Sequence, residues 1–186
     1  MCVALRESDK TAQIGLLRLL SRIYLKEVDR EFASFLSDSN CLEVFGMKSS
    51  DFSTWSQELE EELAVEFCRL FITPGVCVPL ASAFLGAAEG DSKAKESTVA
   101  LLIPGILEQV GVSLEAEFAE LPQDHLSLLF SLWALFLAEG AGGDDFKKIC
   151  LDPWVMAFAD RLYEKAQHPF YQGLAQVTKE SLQNHE

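Results

Sequence analysis

The residues best placed to do chemistry in this chain are Asp124 and His125, adjacent to each other in the run Leu121-Pro122-Gln123-Asp124-His125. A carboxylate beside an imidazole has the composition of an acid–base dyad. If the pair lies on a helix, however, successive side chains point roughly 100° apart and do not face each other. The same pair then reads as a helix start, with Asp124 satisfying backbone N–H groups. The other histidines, His168 and His185, stand far along the chain, and three histidines so dispersed offer little for a zinc site. The cysteines are Cys2, Cys41, Cys68, Cys77 and Cys150; no two are spaced as metal ligands, which fits free thiols in a reducing compartment. Glycine-rich phosphate loops, HExxH, GxSxG and EF-hand patterns are all missing from the sequence. The expectation is a protein that is not an enzyme and that needs neither a metal nor an organic cofactor.

The elements that position these residues are helical almost throughout. Ile14, Leu17, Leu20, Ile23 and Tyr24 form one stripe of a helix over about 10–26. A short helix over 29–36 is expected to bury Phe32, Phe35 and Leu36, followed by a polar, turn-rich stretch over 37–51. Thr54 and Gln57 read as a capping box ahead of a helix carrying Trp55, Leu59, Leu63, Phe67, Leu70 and Phe71, with Glu58, Glu60, Glu61 and Glu62 on its other face. Pro74 and Gly75 end it. A helix over about 95–110 should be kinked or split by Pro104-Gly105 and closed by Gly111. Pro122 suits the first position of the next helix, which turns Leu126, Leu129, Trp133, Phe136 and Leu137 inward and closes at Gly140–Gly143. Helices over 144–150, after Pro153 (with Trp154, Phe158 and Leu162) and over 170–182 complete the chain. Val76–Leu80 is the best strand candidate, and Pro79 spoils it. The expected fold is all-α, a single-domain helical bundle over residues 1–186.

Composition bounds the function from another side. Apolar residues make up 49 % of the 186, enough for a sizeable core. The longest apolar stretch, Leu126 to Ala138, is shorter than the roughly 20 residues of a membrane-spanning helix, so no membrane insertion is expected. Charge appears in the first ten residues before any apolar run, unlike a secretory leader, which points to the cytoplasm. A formal charge of −14 disfavours nucleic acid and favours basic partners.

Four ordered segments carry a family resemblance. They are Glu66-Phe67-Cys68-Arg69-Leu70-Phe71 with Pro74, Gly75, Pro79 and Ser82; Gly111 with Leu121-Pro122-Gln123-Asp124-His125-Leu126; Phe146 with Leu151, Pro153 and Trp154; and Phe170-Tyr171. Together, over about 59–182, they resemble the TorD/DmsD/NarJ-type redox-enzyme maturation chaperones. The resemblance implies a cytoplasmic, all-helical chaperone of the TorD-like type, monomeric or a domain-swapped dimer. Its partner would be the N-terminal, twin-arginine segment of a molybdenum-containing oxidoreductase of the dimethyl sulfoxide reductase type, held until the cofactor is inserted and the client is exported. Carried over by position, the partner-binding residues are Pro74, Gly75, Pro79, Ser82, Asp124 and His125. Ala81, Leu128, Leu129 and Cys150 depart from the family pattern, and these differences bear on the client rather than on the fold. Three alternatives stay open: a chaperone or assembly partner of a non-exported metalloenzyme, a structural helical subunit, and a weak guanine-nucleotide-binding switch.

Overall fold

The computed structural model describes residues 2–38, 41–46, 56–85 and 97–183. Among them are ten α-helices, one 3₁₀ turn and no strand, so the chain is all-α. The helices are α1 (Cys2–Leu25), α2 (Arg30–Asp38), α3 (Gln57–Phe71), α4 (Ser82–Leu85), α5 (Thr98–Val110), α6 (Ala116–Ala119), α7 (Leu126–Glu139), α8 (Gly143–Cys150), α9 (Val155–Lys165) and α10 (Pro169–Gln183), with the 3₁₀ turn at Cys41–Phe45. They fall into two compact units, each built from two stretches of chain. One comprises Met1–Arg22 and Pro79–Val155, the other Ile23–Val78 and Met156–Glu186.

In the first unit α7 is apolar on every side, the pattern of a helix enclosed by others. Leu126 through Phe130 and Leu132 through Ala134 are buried. Ser127 is the one polar residue in that buried run, and it is paired reciprocally. Its hydroxyl donates to the Ser21 carbonyl at 2.7 Å, and the Ser21 hydroxyl donates to the Ser127 carbonyl at 2.8 Å. The exchange fixes α1 against α7 without an unsatisfied polar group. Gly140 ends α7 in the left-handed conformation (φ 77°), its N–H returning to Phe136 and Leu137 carbonyls. Phe136 then packs on Phe146 of α8, ring centroids 5.1 Å apart. Helix α5 runs unbroken through Pro104, so of the two outcomes expected there, a kink or a split, the split does not occur. Proline removes only one donor, and Pro104 faces solvent, where water can meet the carbonyl left over on the preceding turn.

The second unit has an aromatic core. Tyr24 meets Phe71 and Phe158 edge-on, each at 5.5 Å, and Phe71 meets Tyr171 at 5.8 Å. Both phenols are buried and paired, Tyr24 with the Thr178 hydroxyl at 2.8 Å and Tyr171 with the Leu63 carbonyl at 2.9 Å. Glu66, also buried, receives Arg69 Nε at 2.6 Å, Arg69 Nη2 at 2.8 Å and the Gln167 N–H at 2.6 Å. Burial alone would raise its pKa, but hydrogen bonds from Arg69 and from the Gln167 and His168 backbone outweigh it, and the carboxyl is held below its ordinary range.

Three local expectations change. Helix α3 is capped by Ser56, whose hydroxyl accepts from Leu59 N–H at 3.1 Å; Thr54 and Trp55 lie outside the described residues. In α2 Leu36 is buried as expected, but its buried companion is Ala33, while Phe35 is 54 % exposed and stacks on Phe32. The stretch read as polar turn contains the 3₁₀ turn, whose Leu42 and Phe45 are buried; Phe45 packs on Phe170 at 5.3 Å. Helix α10 approaches this turn so closely that a Cβ on Gly173 would stand 1.9 Å from the Phe45 carbonyl oxygen.

Phe67 and Trp133 are both in the core, and replacing either by Ala should cost about 3–5 kcal/mol in denaturant titrations. Gly173→Ala should destabilise by at least about 1–3 kcal/mol through overpacking. Glu66 stabilises the folded chain fully above the ordinary carboxyl pKa of 4.5, and this contribution is lost as pH falls through the lower folded value. Thermal melts of Glu66→Gln should therefore show lower stability at pH 7 and a shallower loss below pH about 4.5.

Candidate partner-binding site

Four of the six residues expected to hold a partner meet in the first unit. The segment Pro79–Ser82 lies antiparallel to Asp124–Leu126, with Leu80 and His125 forming an isolated bridge. Ala81 N–H donates to the Asp124 carbonyl at 3.2 Å, and Leu126 N–H donates to the Pro79 carbonyl at 2.9 Å. This two-bond contact is the only extended pairing among the described residues, and Val76–Leu80, rejected as a strand because of Pro79, forms no strand.

The Asp124 side chain completes the junction. It is 3 % exposed, and its Oδ2 accepts both the Ser82 N–H at 2.7 Å and the Ser97 hydroxyl at 2.9 Å. Ser97 in turn caps α5, its Oγ accepting the Ala100 N–H at 3.1 Å. One carboxylate thus holds the start of α4, the start of α5 and the approach to α7. Ser97 is a member that the sequence reading missed by starting α5 about three residues too early. The available signal was a serine directly before an uncharged apolar run.

Helix α7 begins at Leu126, not at Pro122. Pro122 instead opens a turn closed by the His125 N–H on its carbonyl at 3.0 Å. His125 is the N-cap, its Nδ1 accepting the Ser127 N–H at 3.2 Å. Asp124 therefore does not serve as the cap of its own helix. With Nδ1 committed as an acceptor, the neutral imidazole carries its proton on Nε2, leaving Nε2–H as a donor. Burial pushes the His125 pKa down to about 4, against the pull of the Asp124 charge. Asp124 and His125 share no hydrogen bond among the described residues, so the acid–base dyad is not assembled.

Pro74 and Gly75 belong to the second unit, where the chain turns back over the end of α3. Val76 N–H donates to the Arg69 carbonyl at 3.1 Å and Cys77 N–H to the Leu70 carbonyl at 2.8 Å. Pro74 is exposed. A Cβ at Gly75 would lie 2.6 Å from the Leu70 carbonyl oxygen, so the turn requires glycine there.

Other chemistry is sparse. Among the described residues, no group of three or more His, Cys, Asp or Glu side chains is arranged to hold a metal ion. Burial pushes the Cys77 thiol up to about 12 and Cys150 to about 11, so neither is a thiolate nucleophile at neutral pH. No described helix is long and apolar enough to cross a membrane.

His125 makes the junction acid-labile in a defined direction. Between its ordinary pKa of 6.5 and its folded value of about 4, the unfolded chain binds a proton that the folded chain does not. Stability therefore falls as pH drops through that window. Asn can supply the cap without titrating, so thermal melts of His125→Asn between pH 7 and 4 should show a smaller decline than the parent.

Residues 25–160 match the family described as nitrate reductase delta subunit. The chain is also similar to the chaperone protein TorD of Shewanella loihica (strain ATCC BAA-1088 / PV-4), 26 % identical over 196 residues that cover 90 % of this chain and 88 % of that protein. The family match spans well over half of the sequence and includes three of the four motif segments, Phe170-Tyr171 lying beyond it. The chain belongs to the nitrate reductase delta subunit family, the NarJ/TorD-type redox-enzyme maturation chaperones, and is not an enzyme.

Proposed function

We propose that this chain is a chaperone for a molybdenum-containing oxidoreductase subunit of the dimethyl sulfoxide reductase type. It binds the client's N-terminal, twin-arginine segment in the cytoplasm and holds it while the cofactor is inserted, before export. The observation that carries this reading is the convergence of Pro79, Ser82, Asp124 and His125 on one junction. These residues come from two segments more than forty positions apart, and they lie in the segments whose sequence resembles the family. The charge of −14 supports it further, since a twin-arginine segment is basic at one end and a chain this acidic speeds its encounter.

Within this reading the two neighbours have different roles. His125 touches the client, its Nε2–H donating to a main-chain carbonyl. Asp124 is a positioning residue: its carboxylate is buried and occupied by Ser82 and Ser97, and it sets the loop on which Ser82 is presented and Pro79 is buried. Pro74 and Gly75 contribute the turn that leads into that loop.

The test is calorimetric titration of a twin-arginine signal peptide, paired with thermal melts. His125→Ala should keep most of its melting temperature and lose about 1–3 kcal/mol of affinity. Asp124→Ala should destabilise the chain by about 2–3 kcal/mol, because a half-buried N–H and a buried hydroxyl lose a charged acceptor. Asp124→Asn, whose amide oxygen can still accept, should be milder on both counts. Full affinity in His125→Ala would remove His125 from the contact. No binding of any twin-arginine peptide by the parent would overturn the reading.

A further inference from the structure

Helix α3 of the second unit turns a divided face to solvent. Glu58, Glu61, Val65, Cys68 and Ile72 recur at alternating spacings of three and four residues, which sets them in one stripe along the helix. All five are exposed, Val65 at 68 % and Ile72 at 54 %. The stripe is acidic over its first turn and apolar beyond it, and it runs out at Pro74, which is also exposed. Arg69, the only basic residue of α3, is committed elsewhere: its guanidinium donates to Glu66 and to the Lys165 carbonyl. Beside the acidic end a cleft of about 570 Å3 opens within the same unit. Glu27, Asp29, Glu60 and Glu61 line it, together with Arg30. Lys26 pairs with Asp29 at 3.1 Å, and acids still outnumber bases there.

Charge and its order along the helix select the occupant. Clustered carboxylates take guanidinium or ammonium groups, and exposed valine and isoleucine take aliphatic side chains. A lone cation would leave the apolar part bare, and a wholly apolar segment would leave the carboxylates facing hydrocarbon. A second copy would bring the same carboxylates and no available cation on its own stripe. Among the chain's own segments outside the described residues, 47–55 balances Lys48 against Asp51, and 86–96 holds more acids than bases. What fits is a polypeptide in which basic residues adjoin an apolar run. From between Glu58 and Glu61 to Cys68 the face extends about 13 Å at the helical rise, which an extended segment covers in about four residues. The cations and the apolar run must therefore be near neighbours in the partner's sequence. We propose that this face of α3, with the adjoining acidic cleft, is a second docking surface for the client's N-terminal segment. The arginine pair sits at Glu58, Glu61 and the cleft, and the apolar run that follows it lies on Val65, Cys68 and Ile72. That the segment is a client's twin-arginine signal rests on the reading above; the demand for adjoining basic and apolar parts does not.

The probe is an acetylated peptide of two arginines followed by six alternating leucines and alanines, titrated into the 15N-labelled full chain. Saturable amide shifts are expected at Glu58, Glu61, Val65, Cys68 and Ile72, with affinity that falls as salt screens the exposed charges. The same peptide with glutamates for the arginines, or with serines for the leucines, should bind at least about tenfold more weakly. Glu58→Gln with Glu61→Gln, and Val65→Ser with Ile72→Ser, all at exposed positions, should each weaken the probe about tenfold. The two control peptides decide the matter should either variant fail to fold. Absent shifts on α3, equal binding of either control peptide, or unchanged affinity in either double variant would overturn the proposal. Binding of the probe on α3 without binding of a full twin-arginine signal peptide counts against the proposed function alone. Binding of the signal peptide that the α3 variants leave unchanged counts against this surface alone.

Discussion

A carboxylate removed from water must be given donors, and that requirement organises the first unit. Leaving a buried acceptor of this kind unsatisfied costs several kcal/mol. Asp124 meets the demand with a backbone N–H at Ser82 and a hydroxyl at Ser97, both far from it in sequence. Neither donor can be supplied unless α4 starts where it does and α5 is capped where it is. The geometry of the loop and of two helix starts is therefore set by one side chain. The backbone bonds between Pro79–Ala81 and Asp124–Leu126 align the strands of chain that the carboxylate then locks.

The second unit solves the same problem with a different partner. Glu66 is paired with Arg69 one turn along its own helix, and the pair reaches across to the chain between α9 and α10. The Gln167 N–H donates to Glu66, and Arg69 donates to the Lys165 carbonyl at 2.6 Å. A bidentate guanidinium supplies the charge that Asp124 lacks. Each unit thus ties its two separate stretches of sequence, or the loops between its helices, with one buried carboxylate.

Two histidines act alike in this frame. His125 and His168 stand before α7 and α10, and each turns Nδ1 to the N–H two residues on, at 3.2 and 3.1 Å. Burial depresses both pKa values, the second against the pull of Glu62 and Glu66. A neutral imidazole is the form that can accept this bond, so capping and low pKa reinforce each other. Neither residue has the appearance of a helix cap in the sequence, where Ser, Thr, Asp and Asn are the usual candidates.

What the sequence determined by itself was the all-α class, most of the longer helices and the family resemblance; the short helices α4 and α6 and the 3₁₀ turn were not legible in it. Apolar spacing marked α1, α3 and α9 because the stripes of Leu17, Leu20 and Tyr24, of Leu63, Phe67 and Leu70, and of Phe158 and Leu162 follow the helical repeat. Glycines at 111 and 140 announced helix ends because only they adopt positive φ without strain. Tertiary structure decided what periodicity does not encode: that Phe35 faces solvent while Ala33 is buried, and that Phe45 sits under a glycine of α10. It also decided that the Asp124 carboxylate turns away from its own helix toward Ser82 and Ser97. Local preference would make Asp124 a cap. The stronger demand came from two donors delivered by distant chain, and a buried carboxylate goes where its donors are.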